Sequence, residues 1–257
     1  MKLPRNAFKA ALKKPGLKIG LWSNLKSPMV AEILSNMPFD WVVVDMEHGP
    51  NDLGDVVAQL QAGSATSVAQ IVRPPWNDRV MIKRVLDAGV QSLVIPYVQN
   101  AEEARQAVAS TRYPPEGARG VAGGSRATRF GLVDNYHANA DKELCLIVQA
   151  ETAEAVANIP EIAGVRGVDA IFVGPADLAA SMGHLGNFDH EDVQAKIAEA
   201  AKAIKAAGKF AGILSFNPEQ AMKYAALGYD FIAVASDQSL LVSAAQSLAA
   251  KFDRLRG

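Results

Sequence analysis

Glu151 and Asp177 each close a short apolar run, Leu146-Ile147-Val148-Gln149-Ala150-Glu151 and Phe172-Val173-Gly174-Pro175-Ala176-Asp177. Runs of this length read as buried strands, which puts both acids at strand C-termini. Two carboxylates on neighbouring strand ends, one with Gly-Pro backbone beside it, suit a hard cation such as Mg²⁺, which takes oxygen ligands and often only one or two protein carboxylates. The alternative for either acid alone is the first turn of the next helix, where negative charge is favoured. His48 stands in the polar cluster Asp45-Met46-Glu47-His48-Gly49-Pro50-Asn51, directly after Val42-Val43-Val44, and is the candidate general base. Asp45, Glu47 and Asp87 are its candidate orienting partners. Arg73 ends another apolar run abruptly at Pro74-Pro75. Its guanidinium suits a substrate carboxylate or a developing enolate, or an ion pair with Asp45 or Glu47. Trp22 reads as a pocket wall or a barrel cap, and His137, His184 and His190 as surface or capping residues.

These groups work together only if the fold gathers them. Apolar runs recur near 18–22, 41–45, 68–73, 92–97, 144–149, 170–174, 210–214 and 231–235. Helical patterns alternate with them at 28–37, 53–62, 78–88, 101–110, 153–162, 190–207, 218–227 and 237–255. Eight such units with nearly continuous apolar strands predict a parallel sheet covered on both faces. The count favours closure into a (β/α)8 TIM barrel, one domain over residues 1–257. In that fold functional groups collect at strand C-terminal ends, here Trp22, Asp45, Glu47, His48, Arg73, Gln99, Gln149, Glu151, Asp177, Ser215, Asn217, Ser236 and Asp237. Lys18, Lys142 and Lys209 fall at the opposite ends, so a Schiff-base lysine is lacking and metal Lewis-acid chemistry is left. No Gly-x-Gly-x-x-Gly follows the first strand, which argues against a nucleotide cofactor. Phe8, Ala11 and Leu12 mark a short amphipathic helix covering one end of the domain. Two long connections, 112–141 and 178–189, are expected to serve function or subunit contact, with Arg126 a candidate subunit-bridging residue.

Composition narrows the rest. With 49% apolar residues, 21% charged and a formal net charge of -1, the chain has no basic excess for a nucleic-acid partner. No apolar run approaches the roughly 20 residues of a membrane span, and the N-terminus lacks a signal-peptide core. The single Cys145 sits in a strand pattern, fills core space and fits a reducing cytoplasm.

Several motifs in order resemble the HpcH/HpaI class II pyruvate aldolases. They run from Gly20-Leu21-Trp22 through Asp45-x-Glu47-His48-x-Pro50-Asn51, Val72-Arg73-Pro74, Trp76-Asn77-Asp78 and Leu86-Asp87-x-Gly89. They continue through Pro96-x-Val98-Gln99-Asn100, Arg112-Tyr113-Pro114-Pro115-x-Gly117-x-Arg119-Gly120, Gln149-x-Glu151-Thr152 and Gly174-Pro175-Ala176-Asp177-Leu178. The resemblance implies a hexameric barrel, a trimer of dimers with the last helix, about 237–255, exchanged between subunits. It implies Mg²⁺, Mn²⁺ or Co²⁺ on Glu151 and Asp177, His48 paired with Asp87 as base, and Arg73 beside an enolate oxygen. It also implies backbone amides near Ala176 and Asp177 on a substrate carboxylate. Trp22, Gln149, Gly174, Pro175, Ala176 and Leu214 are then expected against substrate, with Asp45 and Glu47 supporting from behind. The implied reaction is aldol cleavage or condensation of 4-hydroxy-2-keto acids, giving a pyruvate or hydroxypyruvate enolate and an aldehyde. A deoxy sugar acid aldolase, a CoA-ester lyase and a non-catalytic ligand-binding barrel are the alternatives. Met46, Gly49 and Leu214-Ser215-Phe216-Asn217 depart from the family pattern where an aldehyde would lie, so the acceptor is left open.

Overall fold

The computed structural model describes residues 1–255; the last two residues of the expected 1–257 domain lie outside the described residues. The strands are β1 (Lys18–Ser23), β2 (Trp41–Asp45), β3 (Ala69–Arg73), β4 (Ser92–Ile95), β5 (Cys145–Ala150), β6 (Ala170–Val173), β7 (Phe210–Leu214) and β8 (Phe231–Ser236). They pair in parallel in that order, and β8 closes on β1. The fold is the (β/α)8 barrel that the alternation of elements predicts.

Twelve α-helices form among the described residues. The first six are α1 (Ala7–Leu12), α2 (Pro28–Ser35), α3 (Leu53–Ala62), α4 (Arg79–Asp87), α5 (Ala101–Thr111) and α6 (Tyr136–Asn139). The rest are α7 (Ala153–Ala157), α8 (Ile159–Gly164), α9 (Pro175–Ser181), α10 (Glu191–Ala206), α11 (Pro218–Ala226) and α12 (Asp237–Ala250). Most helices that leave a strand begin on a side chain that accepts a first-turn amide: Ser27, Asp78, Asn100, Thr152, Asn217 and Ser236. The expected helix over 153–162 is two helices. Asn158 ends α7, and Pro160, which has no amide to continue a ladder, fits the first turn of α8. The helix α9 occupies a stretch expected as loop, because Gly174-Pro175 starts it straight off β6. The last helix stops at Ala250 rather than 255.

Inside the barrel, side chains step inward every second residue, and the positions nearest the mouth change from apolar to polar. On β2 the inward series is Trp41, Val43, Asp45; on β3 it is Ala69, Ile71, Arg73; on β5 it is Cys145, Ile147, Gln149. The apolar members form one buried cluster with Trp22, Val94, Phe172, Phe231 and Ala233. Gly20 and Gly212 leave room for the rings of Trp41 and Phe231, which a Cβ at either glycine would strike. Phe8 of α1 plugs the far end of the barrel, edge-on to Trp41 at 5.9 Å and Phe231 at 5.4 Å. Asn6 ties that plug down by donating to Gln91 O, Ser92 Oγ and Glu143 O. Cys145 is buried in this interior, and burial pushes its thiol well above its usual range. A larger apolar layer, including Ile82, Leu86, Ile162 and Ile197, lies between barrel and helices.

Candidate active site at the barrel mouth

The strand register creates the first pair of the site. Asp45 and Arg73 are Cα partners on β2 and β3. The guanidinium donates to both oxygens of Asp45, from Nε at 2.8 Å and Nη2 at 2.7 Å. Its Nη1 lies 2.7 Å from Glu47 Oε2 and 3.3 Å from Gln149 Oε1. Arg73 also sits over the Trp22 ring at 5.2 Å, so Trp22 is both a wall of the mouth and part of the core. The ion-pair reading of Arg73 is realised with both acids, while the residue still lines the cavity.

From Arg73 the chain of contacts runs to β5. Gln149 Nε2 donates to Glu151 Oε2 at 2.6 Å, and the Tyr97 amide donates to Glu151 Oε1 at 2.7 Å. Tyr97 presents that amide from a left-handed conformation, φ 55°. Glu151 is 3% exposed, and burial, then Glu47 and Asp177, push its carboxyl up to about 7. Burial also raises Glu47, against the pull of Arg73 and His48. Gly174 is required beside Glu151, since a Cβ there would lie 2.5 Å from Glu151 Oε2. Asp177 stands in the first turn of α9, exposed at the mouth, so its helix-start reading holds together with its place in the cavity. Glu151 precedes the Thr152 cap of α7 and belongs to no helix.

The cavity measures about 410 Å³ and is lined by Trp22, Asp45, His48, Arg73, Gln149 and Glu151 on one side. Phe172, Gly174, Pro175, Ala176, Asp177 and Leu214 line the other. Asn24, Phe172 and Gln238 line it too, and sequence reading passed over them. Asn24 is the next inward position after Trp22 and donates to Asp45 Oδ2 at 3.0 Å; stepping the inward period once past β1 finds it. Gln99 and Asp237 serve structure instead. Gln99 accepts from Thr152 Oγ1. Asp237 fastens the β1 exit through the amides of Asn24 and Leu25.

One expected residue is elsewhere. Asp87 is the last residue of α4, at the strand N-terminal end of the barrel, and its carboxylate pairs with buried Arg119 at 2.8 Å. His48 has Glu47 Oε2 at 3.9 Å, with its ring 64% exposed. Arg126 lies near Asp87, donating to Ala88 O at 2.7 Å. His190 caps α10 as read, with His184 stacked on it at 3.6 Å.

A divalent cation fits these residues. Burial first, then Glu47 and Asp177 beside it, push the Glu151 carboxyl up, a displacement that a cation bound to the carboxylate would offset. Of the four carboxylates of Asp45, Glu47, Glu151 and Asp177, the first two pair with the Arg73 guanidinium and the last two have no ion pair among the described residues, a charge excess that oxygen-coordinated cations offset.

The family model described as HpcH/HpaI aldolase/citrate lyase matches residues 18–244. A 4-hydroxy-2-oxo-heptane-1,7-dioate aldolase of Shigella sonnei is 49% identical over 248 residues, covering 96% of this chain and 95% of the relative. One from Klebsiella pneumoniae is 50% identical, covering 96% and 94%. The crystal structure of an HpcH/HpaI aldolase/citrate lyase family protein from Burkholderia cenocepacia superposes with a TM-score of 0.93 at 39% identity, covering 98% and 100%.

Proposed function

This chain belongs to the HpcH/HpaI aldolase/citrate lyase family, and from that premise we propose that it is a divalent-metal aldolase cleaving 4-hydroxy-2-keto acids to pyruvate and an aldehyde. The observation that carries the reading is the run Asp45–Arg73–Gln149–Glu151 along the barrel mouth, with Asp177 facing it from β6's exit. Glu151 and Asp177 would hold Mg²⁺, Mn²⁺ or Co²⁺. When bound, such an ion supplies Lewis acidity toward a 2-keto oxygen and its neighbouring carboxylate.

The protein's own groups do the rest. The amides of Ala176 and Asp177 precede the first bond of α9, Leu178 N to Gly174 O, and are free to meet the substrate carboxylate. Arg73, held rigid by Asp45, stabilises the oxygen on which negative charge develops. His48 takes the proton of the C4 hydroxyl, the C3–C4 bond breaks, and its electron pair passes into the enolate. The proton returns to C3, giving pyruvate, and the aldehyde leaves. The relatives' named substrate, 4-hydroxy-2-oxoheptanedioate, is the first to assay.

His48 and Asp87 lie at opposite ends of one barrel, so their pairing is proposed between subunits of a homo-oligomer, a hexamer built as a trimer of dimers. The last helix supports assembly: only Asp237 of α12 is buried, whereas Leu240, Leu241, Val242 and Leu248 are 43–62% exposed. Such an apolar face is what a neighbouring barrel would cover. Among the described residues no helix is long and apolar enough to cross a membrane. A cytoplasmic location is proposed on the unpaired Cys145. The deciding experiment is metal removal: a chelator should abolish pyruvate release, and Mn²⁺ or Co²⁺ should restore it. Full activity after chelation would refute the assignment.

A further inference from the structure

The connection from α9 to α10 carries two histidines that do not line the mouth cavity. His184 and His190 stack with ring centroids 3.6 Å apart, and His184 Nε2 and His190 Nδ1 each lie 3.6 Å from Asp192 Oδ2. One nitrogen from each ring and one carboxylate oxygen all fall within 4.8 Å of one another. Ligands on a tetrahedral Zn²⁺, each about 2.0–2.2 Å from the ion, stand roughly 3.4 Å apart. The trio is therefore already near ligand spacing.

Turns hold the backbone that carries it. Gly183, at φ 83°, follows the end of α9, and the His184 amide donates back to Ala179 O at 2.8 Å. The Asn187 amide donates to His184 O at 2.8 Å, and the His190 amide to Asn187 O at 3.3 Å. Gln194 Nε2 donates to Phe188 O at 2.7 Å, which ties the loop to α10. Asp192 stands in the first turn of that helix.

Helix capping accounts for only part of this arrangement. His190 Nδ1 accepts from the Asp192 amide at 3.3 Å, a long bond that ligation through the same nitrogen would replace. The ion-pair partners of Asp192 among the described residues are the two histidines, with no lysine or arginine competing for it. Its side chain is 64% exposed, which leaves room for water beside it. With Glu191 it also offsets the positive end of α10, which would otherwise repel a cation. The rings lie 17° from parallel, so ligation turns them toward the ion about χ2, a soft torsion. All these distances lie within one chain, so the site needs no neighbouring subunit.

We propose that His184, His190 and Asp192 form a second divalent-metal site, which takes Zn²⁺ or a late first-row neighbour in preference to Mg²⁺ and clips the loop after α9 to the start of α10. Two imidazoles set the preference, because nitrogen ligands suit Zn²⁺, Ni²⁺ and Cu²⁺, whereas Mg²⁺ takes oxygen. Three protein ligands leave the fourth position to water. None of the three residues lines the mouth cavity, so the site stands apart from the aldolase reading.

The test is calorimetric titration with Zn²⁺ of the full chain carrying Glu151→Gln and Asp177→Asn, which removes both carboxylates proposed to hold metal at the mouth. One Zn²⁺ per chain is expected, and equimolar Mg²⁺ should not displace it. Adding His184→Ala or His190→Asn should each weaken that binding at least about tenfold. Asparagine at 190 keeps an acceptor for the first turn of α10, so this variant retains its cap while losing the imidazole. Electron paramagnetic resonance of the Cu²⁺-loaded chain reads the ligands directly: hyperfine coupling to two imidazole nitrogens is expected, falling to one with His184→Ala. Zn²⁺ affinity that survives both histidine substitutions means an adventitious ion only and overturns the site. Displacement by equimolar Mg²⁺, or a Cu²⁺ spectrum without imidazole coupling, overturns it equally.

Discussion

Glu151 is buried, and its carboxyl is displaced from 4.5 up to about 7, first by that burial and then by Glu47 and Asp177. The unfolded chain has no such neighbours, so between about pH 4.5 and 7 the folded state binds the extra proton. Stability of the metal-free protein therefore falls as pH rises through that window, by about 3 kcal/mol at most, and levels off above it. Bound cation demands the carboxylate, so the stabilisation it adds should grow over the same interval. Thermal melts should show the metal-free Tm dropping from pH 5 to 7.5, and Glu151→Gln should flatten much of that drop. A metal-free Tm that climbs through this window would contradict the assignment. At this scale the sequence was legible wherever a side chain ends a strand's inward period. Asp45, Arg73 and Gln149 follow buried Val43, Ile71 and Ile147 two residues on. What the sequence hides is backbone chemistry: the Tyr97 amide on Glu151 comes from a left-handed residue that carries no glycine signal.

At the scale of elements, the β2–β3 register sets Asp45 beside Arg73, and the fork geometry of the guanidinium lets one side chain hold Asp45, Glu47 and Gln149 together. Lysine at this position offers a point charge that cannot make both bonds to Asp45 and still reach across to Gln149. Arg73→Lys is therefore expected to cost about 10²-fold in kcat, the loss of one fixed donor at a developing oxyanion, with the fold retained. Steady-state kinetics beside a circular dichroism melt decides it; undiminished kcat would move Arg73 from catalysis to structure. Element positions were readable because apolar strands and capped helices alternate, yet contacts between distant elements were not. The connection over 112–141 leads from α5 into β5, which places it at the end of the barrel remote from the mouth. Its glycines and arginines therefore organise the opposite face, where Arg119 stacks on Tyr113 at 4.6 Å and holds Asp87.

The whole molecule poses the problem that single residues and elements leave open. His48 belongs to the mouth, Asp87 to the far end, and no rearrangement within a closed, eight-stranded barrel joins them. The exposed apolar face of α12 fits the proposed assembly, in which a neighbouring subunit would cover it. If the mouth of one subunit receives the Asp87 end of another, each working site takes His48 from one chain and Asp87 from its neighbour. His48→Ala and Asp87→Ala enzymes should then each be strongly impaired as homo-oligomers. Equal mixing with subunit exchange should restore about a quarter of full activity, because a site regains both groups only when an intact His48 chain meets an intact Asp87 neighbour. Mixing without exchange should restore nothing. Should exchanged mixtures stay as inactive as their parents, Asp87 acts within its own chain through Arg119, as a structural residue of the far face. His48 would then work with Glu47, the acid nearest to it in the barrel.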